Sequence, residues 1–168
     1  MPKKVKLKLK SAIKNNIVKA PNRILSTNTK ALNKDNYQDI VRSFWKRSMK
    51  HRKGAVGIAA NQIHMPYSIF IAQLVPDVWK IFINPYILKT SKSSFNTSEL
   101  VNGTEGCLSL PGSEHGVARA QKIEVVFRDI GWKPIMAQFE DFQARVVQHE
   151  IDHLNGKLID PNMDWRQE

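Results

Sequence analysis

Between Asn36 and Arg52 the apolar residues Ile40, Val41, Phe44, Trp45 and Met49 recur at spacings of three, four and five. That stripe predicts an amphipathic helix with one face turned to a core. Further along, the pattern shortens. Tyr67 to Gln73 and Trp79 to Ile83 are brief runs rich in Ile and Phe, each bounded by proline, and they predict strands. Lys89 to Gly103 is dominated by Ser, Thr and Asn and predicts an exposed loop. Ile123 to Arg128 and Pro134 to Phe139 flank Asp129-Ile130-Gly131-Trp132-Lys133, where Gly131 can supply a positive φ, and together they predict a hairpin. Glu140 to Leu154 predicts a second helix, with acids in its first turn and Gly156 just past its end. There are no internal repeats, and the strands are not separated by regular helices. The expected fold class is therefore α+β, with antiparallel sheets around a central helix.

Charge divides the chain in two. Residues 1 to 53 carry 16 Lys and Arg against Asp35 and Asp39, a net of +14, whereas residues 54 to 168 carry 10 basic and 13 acidic residues, a net of −3. The overall +11 therefore belongs to the N-terminal third and not to the chemistry downstream. The first 34 residues contain ten Lys and Arg and no acid, so residues 1–16 are expected to be a basic, poorly ordered tail ahead of one domain over 17–168. The tail is Lys-rich, whereas transit peptides favour Arg and Ser, so a transit peptide is not the expected reading. No run of about 18 apolar residues predicts a membrane span, and nothing near the N-terminus reads as a secretory segment, so a soluble, intracellular protein is expected. Cys107 is the only cysteine, so no internal disulfide can form.

The most informative segment is Gln148-His149-Glu150-Ile151-Asp152-His153-Leu154. Residues four apart on a helix lie about 40° from each other, so His149 and His153 present their imidazoles to one point, as an HExxH metal site requires. Glu150 sits about 100° round from His149, where it can reach a water without joining the metal's ligands. Two nitrogens leave a catalytic metal one protein ligand short. Asp160 and Asp164 are downstream candidates, and Cys107 lies in Glu105-Gly106-Cys107-Leu108-Ser109, read as a Gly-containing turn. Taken without the helix, Cys107 would read as a buried, inert thiol. A third segment, Val56-Gly57-Ile58-Ala59-Ala60-Asn61-Gln62, is rich in small residues that permit close backbone approach. Its Gln62 can donate to an oxyanion.

Together these three segments resemble the signature motifs of peptide deformylases. Gln148 to Gly156 matches QHExDHLxG, Glu105 to Ser109 matches EGCLS, and Val56 to Gln62 matches most of GxGxAAxQ; weaker similarity extends the likeness over about residues 17 to 160. The resemblance implies a metal held by Cys107, His149 and His153, Glu150 as general acid and base, and Gln62 with the Leu108 N–H as an oxyanion hole. It implies Fe(II) in the cell, with Zn, Ni or Co compatible with the same ligands. The substrate would be an N-formyl-methionyl peptide, in a bacterial or phage-infected cytoplasm or an organelle. Positions 142, 146 and 149 share one helical face, and the methionine pocket is expected to include Val56, Phe142 and Val146. Gly57, Glu105 and Gly106 are expected beside the substrate.

Four departures accompany the likeness. Ala55 replaces the glycine that normally opens the first motif, and Glu114 stands where many members carry an arginine beside the substrate's peptide chain. Arg145 stands where many have an apolar residue lining the methionine pocket, and the chain stops at Glu168, so the C-terminal helical extension of many bacterial members is expected to be missing. The basic tail becomes a candidate for docking on ribosomal RNA. Two rival readings exist. A zinc endopeptidase would share the helix but take a His or Glu as third ligand. A basic nucleic-acid-binding module would close a structural metal site with a fourth protein ligand.

Overall fold

The protein is described by a computed structural model covering residues 16–90 and 100–163. Apart from Asn16, the basic tail lies outside these residues, as does Asp164. The predicted first helix is present as α1 (Tyr37–Ser48), extended by a 3-10 turn over Met49–His51. Then come β1 (Gly57–Ala59), a 3-10 turn over Ala60–Ile63, β2 (Ile69–Val75) and β3 (Val78–Thr90). The remaining elements are β4 (Leu100–Cys107), β5 (Leu110–Ala120), β6 (Lys122–Arg128), β7 (Pro134–Glu140) and the C-terminal helix α2 (Asp141–Leu154). Every strand pairing is antiparallel: β1-β2-β3-β6-β7 form a five-stranded sheet, and β4-β5 form a separate two-stranded hairpin. No helix among the described residues is long and apolar enough to cross a membrane.

The short Ile- and Phe-rich runs are buried on both faces, which is why β2 reads as a continuous apolar segment. Successive side chains of a strand point to opposite faces. Phe70, Ala72 and Phe82 therefore face α2, in a core with Phe127, Val147 and Ile151. Ile69, Ile71 and Ile83 face the other way, onto Phe44 of α1 with Ile58 and Ile63. The Phe70 and Phe82 rings stack with centroids 4.4 Å apart, and Phe127 lies 4.5 Å from Phe82. Truncating a buried aromatic such as Phe82 to Ala costs about 3–5 kcal/mol in comparable cores.

Three expectations are corrected. Proline does not end the second strand: β3 runs through Pro85 to Thr90, with an irregularity between Ile83 and Tyr86. There Asn84 takes φ 49° and its amide makes two 2.8 Å hydrogen bonds with the backbone of Leu32, absorbing the kink. The polar stretch from Lys89 to Gly103 is strand at both described ends, β3 to Thr90 and β4 from Leu100, while residues 91–99 lie outside the description. In the β6–β7 turn the positive φ belongs to Trp132, at 66°, and not to Gly131. Asp129 compensates by accepting from the N–H groups of Gly131 and Lys133, both at 2.9 Å, and the Arg128 guanidinium lies 4.9 Å from the Trp132 ring centroid.

Candidate metal centre and catalytic cleft

Helix α2 ends where its sequence says it should. Gly156 takes φ +67°, and a Cβ there would come within 2.6 Å of the Ser26 backbone, so the exit admits no side chain. Asn61 fixes the last turn by donating to the His153 carbonyl at 2.5 Å. The four-residue spacing then brings His149 Nε2 and His153 Nε2 to 3.2 Å from each other.

Cys107 comes from the hairpin. It occupies the last position of β4, so Glu105–Cys107 is strand and the reversal lies at Leu108 and Ser109. An irregularity between Gly106 and Cys107 pairs Cys107 with Leu110 and leaves its Sγ 3.3 Å from His153 Nε2. The ligand atoms of Cys107, His149 and His153 all lie within 4.8 Å of one another. A tetrahedral ion with bonds of ~2.0–2.3 Å sets its ligand atoms about 3.3–3.6 Å apart, close to the 3.2 and 3.3 Å that separate His153 Nε2 from His149 Nε2 and Cys107 Sγ. Asp160 is not in the group; its carboxylate accepts from the Asn162 N–H at 2.8 Å.

The surroundings suit a cation. Glu105 is 7% exposed and accepts from His149 Nδ1 at 2.9 Å, which turns Nε2 toward the other donors. Arg119 grips the same carboxylate with two 2.9 Å hydrogen bonds and also reaches Asp152. Burial opposes the charge on Glu105, but the hydrogen bonds from Arg119 and His149 hold its carboxyl well below the usual range. Burial also works against charge on His149, yet its hydrogen bonds with Cys107 and Glu105 keep its pKa up at about 10. The Glu105 carboxylate also favours a divalent ion among the three donors. His153 is pushed the other way, its pKa lowered by burial and by the neighbouring His149, as a neutral imidazole ligand requires.

Glu150 is buried, 3% exposed, and its Oε2 has no hydrogen-bond partner among the described residues. Burial raises its pKa to about 7. A stranded buried oxygen costs about 1–3 kcal/mol, so a carboxylate placed this way at a cleft is a candidate for proton transfer. Glu150 fits only because Gly57 lacks a side chain: a Cβ at Gly57 would stand 2.2 Å from Glu150 Oε1. Gln62 is equally constrained. Its Oε1 accepts from the Ala59 N–H at 3.0 Å, which leaves Nε2 directed at Ser109 Oγ, 3.2 Å away, with Cys107 Sγ at 3.7 Å.

These groups open into a cleft of about 880 Å³. Val56, Phe142 and Val146 all line it, as do Gly57, Glu105, Gly106, Leu108 and Glu114. Val56 and Phe142 are exposed, Val146 is buried, and Glu114 stands opposite Gly106 in the hairpin register. Four residues near the site were not singled out in the sequence. Ser109 lay inside a recognised motif two positions after Cys107, a signal that was available. Lys19 donates to the Leu108 carbonyl at 2.6 Å, and nothing local marks it. Arg119 and Asn61 act only through contacts 14 to 92 residues away in sequence.

Comparison with known proteins identifies relatives of the chain. The sequence profile described as polypeptide deformylase matches residues 14–167. A peptide deformylase of Borreliella burgdorferi is 34% identical over 142 residues, spanning 83% of this chain and 81% of that protein. The crystal structure of the class I type b peptide deformylase of Acinetobacter baumannii with Met-Ala-Ser bound superposes with a TM-score of 0.73 at 30% identity, covering 85% of this chain and 94% of that one. The Synechococcus elongatus peptide deformylase in complex with actinonin gives a TM-score of 0.75 at 26% identity, over 89% of this chain and 80% of that one. On the extent of the profile match and the identity to its relatives, the chain belongs to the polypeptide deformylase family.

Proposed function

We propose that this protein hydrolyses the N-formyl group of formyl-methionine at the start of new polypeptides, releasing formate, with a divalent ion held by Cys107, His149 and His153. The observation that carries the reading is the cluster of one thiol and two imidazoles beside a buried carboxylate with a stranded oxygen. On this reading α2 is the central, metal-binding helix of the fold. A bound divalent ion supplies Lewis acidity, acidifying a water and polarising the formyl carbonyl.

The chain's own residues do the rest. Glu150 takes a proton from the attacking water and hands it to the departing amine, and a pKa near 7 suits both transfers. Gln62 Nε2, held by the Ala59 hydrogen bond, and the Leu108 N–H donate to the formyl oxygen as negative charge develops on it. Val56, Phe142 and Val146 receive the methionine side chain, with Gly57, Glu105 and Gly106 beside the substrate in the cleft wall. Glu114 at the hairpin disfavours acidic side chains early in the substrate. The Met-Ala-Ser peptide bound by the Acinetobacter baumannii enzyme supports this substrate class.

For the metal we propose Fe(II) in the cell, replaceable by Zn, Ni or Co, because imidazole and thiolate suit all four. On that substrate, the protein is proposed to act in a bacterial or phage-infected cytoplasm or in an organelle. Residues 1–16 form a basic segment before a single domain over 17–168, and that segment is proposed to meet ribosomal RNA. The metallopeptidase alternative is disfavoured by the thiol in the cluster, and the nucleic-acid alternative by the negative balance of residues 54–168. Incubation of the metal-loaded protein with formyl-Met-Ala-Ser and with an unblocked peptide tests the reading. Formate and intact Met-Ala-Ser are expected from the first and no cleavage of the second; internal cleavage of either peptide would reassign the site to a peptidase.

A further inference from the structure

Helix α2 and the β4–β5 hairpin contribute different donors to the cluster, and no shared sheet fixes one against the other. Their separation is set by side chains that cross between them. Arg145 lies on α2 one turn before His149. Its Nη1 donates to Glu105 Oε1 at 2.7 Å and to the Val117 carbonyl at 2.9 Å, and its Nη2 donates to the Val101 carbonyl at 2.6 Å. One planar fork therefore holds both strands of the hairpin, a geometry that a point charge such as lysine cannot reproduce.

Gly103 makes this possible. It pairs with Val117 in the hairpin, and a Cβ at Gly103 would stand 2.8 Å from both Cζ and Nη2 of Arg145 and 3.1 Å from Nε. The guanidinium thus lies against β4 in the space that a side chain at position 103 would fill. Glu105, which Arg145 holds, also accepts from His149 Nδ1. Arg145 is tied directly to the strand that carries Cys107 and, through Glu105, to the orientation of His149.

We propose that Arg145 and Gly103 are a matched pair that sets the placement of Cys107 relative to His149 and His153, and thereby the affinity of the cluster for its metal. Arg145 is a positioning residue; it does not need to touch substrate. The inference rests on the proposed metal-binding role of the three donors.

The test is anaerobic titration of metal-free protein with Co(II) against a competing chelator, following the thiolate-to-cobalt absorption band. The parent protein should bind one Co(II) with that band; if it does not, the metal assignment itself fails. Given a competent parent, Arg145→Met, which keeps an unbranched stem, and Gly103→Ala, which keeps the arginine but displaces its fork, should each weaken Co(II) binding about 10- to 100-fold and shift the band. The double variant should be no worse than Arg145→Met, because both changes remove the same contact. Unchanged affinity and band in a folded Gly103→Ala protein, or losses that simply add in the double variant, overturn the proposal. If Arg145→Met does not fold, Gly103→Ala alone decides, with circular dichroism and Tm confirming that its fold is intact.

Discussion

Glu150 rests directly against Gly57: a Cβ on the glycine would stand 2.2 Å from Oε1 and 2.6 Å from Cδ of the carboxylate. A short strand on one side of the cleft thereby fixes Glu150, the proposed proton carrier, on the helix at the other side. Gly57→Ala is expected to displace Glu150 without touching a metal donor. Turnover of formyl-Met-Ala-Ser should fall at least ~100-fold, the scale of a lost general base, with metal content unchanged. Parallel metal analysis and formate assays check this.

Glu150→Gln keeps the side chain's size and removes its basicity. The variant is expected to retain one metal per chain and to lose at least ~100-fold in kcat. Loss of metal along with activity would make Glu150 a ligand instead.

Gln62→Leu removes the proposed donor to the developing oxyanion and should lower kcat about 10²- to 10³-fold with metal retained. It also strands the Ala59 N–H in a buried site, so a stability loss of about 1–3 kcal/mol should appear in denaturant unfolding.

Glu105 and Arg119 form a buried pair, with side chains 6% and 9% exposed. Arg119→Met leaves the carboxylate without its bidentate partner and is expected to cost about 3–5 kcal/mol. The pH dependence follows from the sign of the shift. Glu105 has its folded-state pKa depressed below that of the unfolded chain, so its contribution is present above about pH 4 and fades as pH falls through the folded value. Removing Arg119 raises that folded pKa, so the variant should acid-unfold at higher pH than the parent.

How much of this was legible in the sequence depended on the range of each interaction. His149 and His153 were readable because a four-residue spacing on a helix decides their geometry locally. Cys107, the only thiol, was readable through its motif, although its position at a strand end was not. From sequence alone β3 ends before Pro85, which suggests a boundary; Asn84 carries the kink by bonding to Leu32, a partner 52 residues away. Trp132 takes the left-handed conformation assigned to Gly131 because Asp129 and Arg128 stabilise it, which no dipeptide preference encodes. Arg145 looked like a charge in an apolar pocket wall. Its meaning depends on Gly103 and Val117, brought together only by the register of β4 against β5.

Deformylation by this chain is proposed to need one metal ion, held by Cys107, His149 and His153. Metal-free protein titrated without oxygen with Fe(II) or Ni(II), while formate release from formyl-Met-Ala-Ser is followed, addresses it directly. Activity is expected to rise linearly and break at one ion per chain, and Cys107→Ser should show neither tight binding nor that rise. Formate released at full rate by the metal-free protein, or a chain that binds one ion and releases none, would contradict the account.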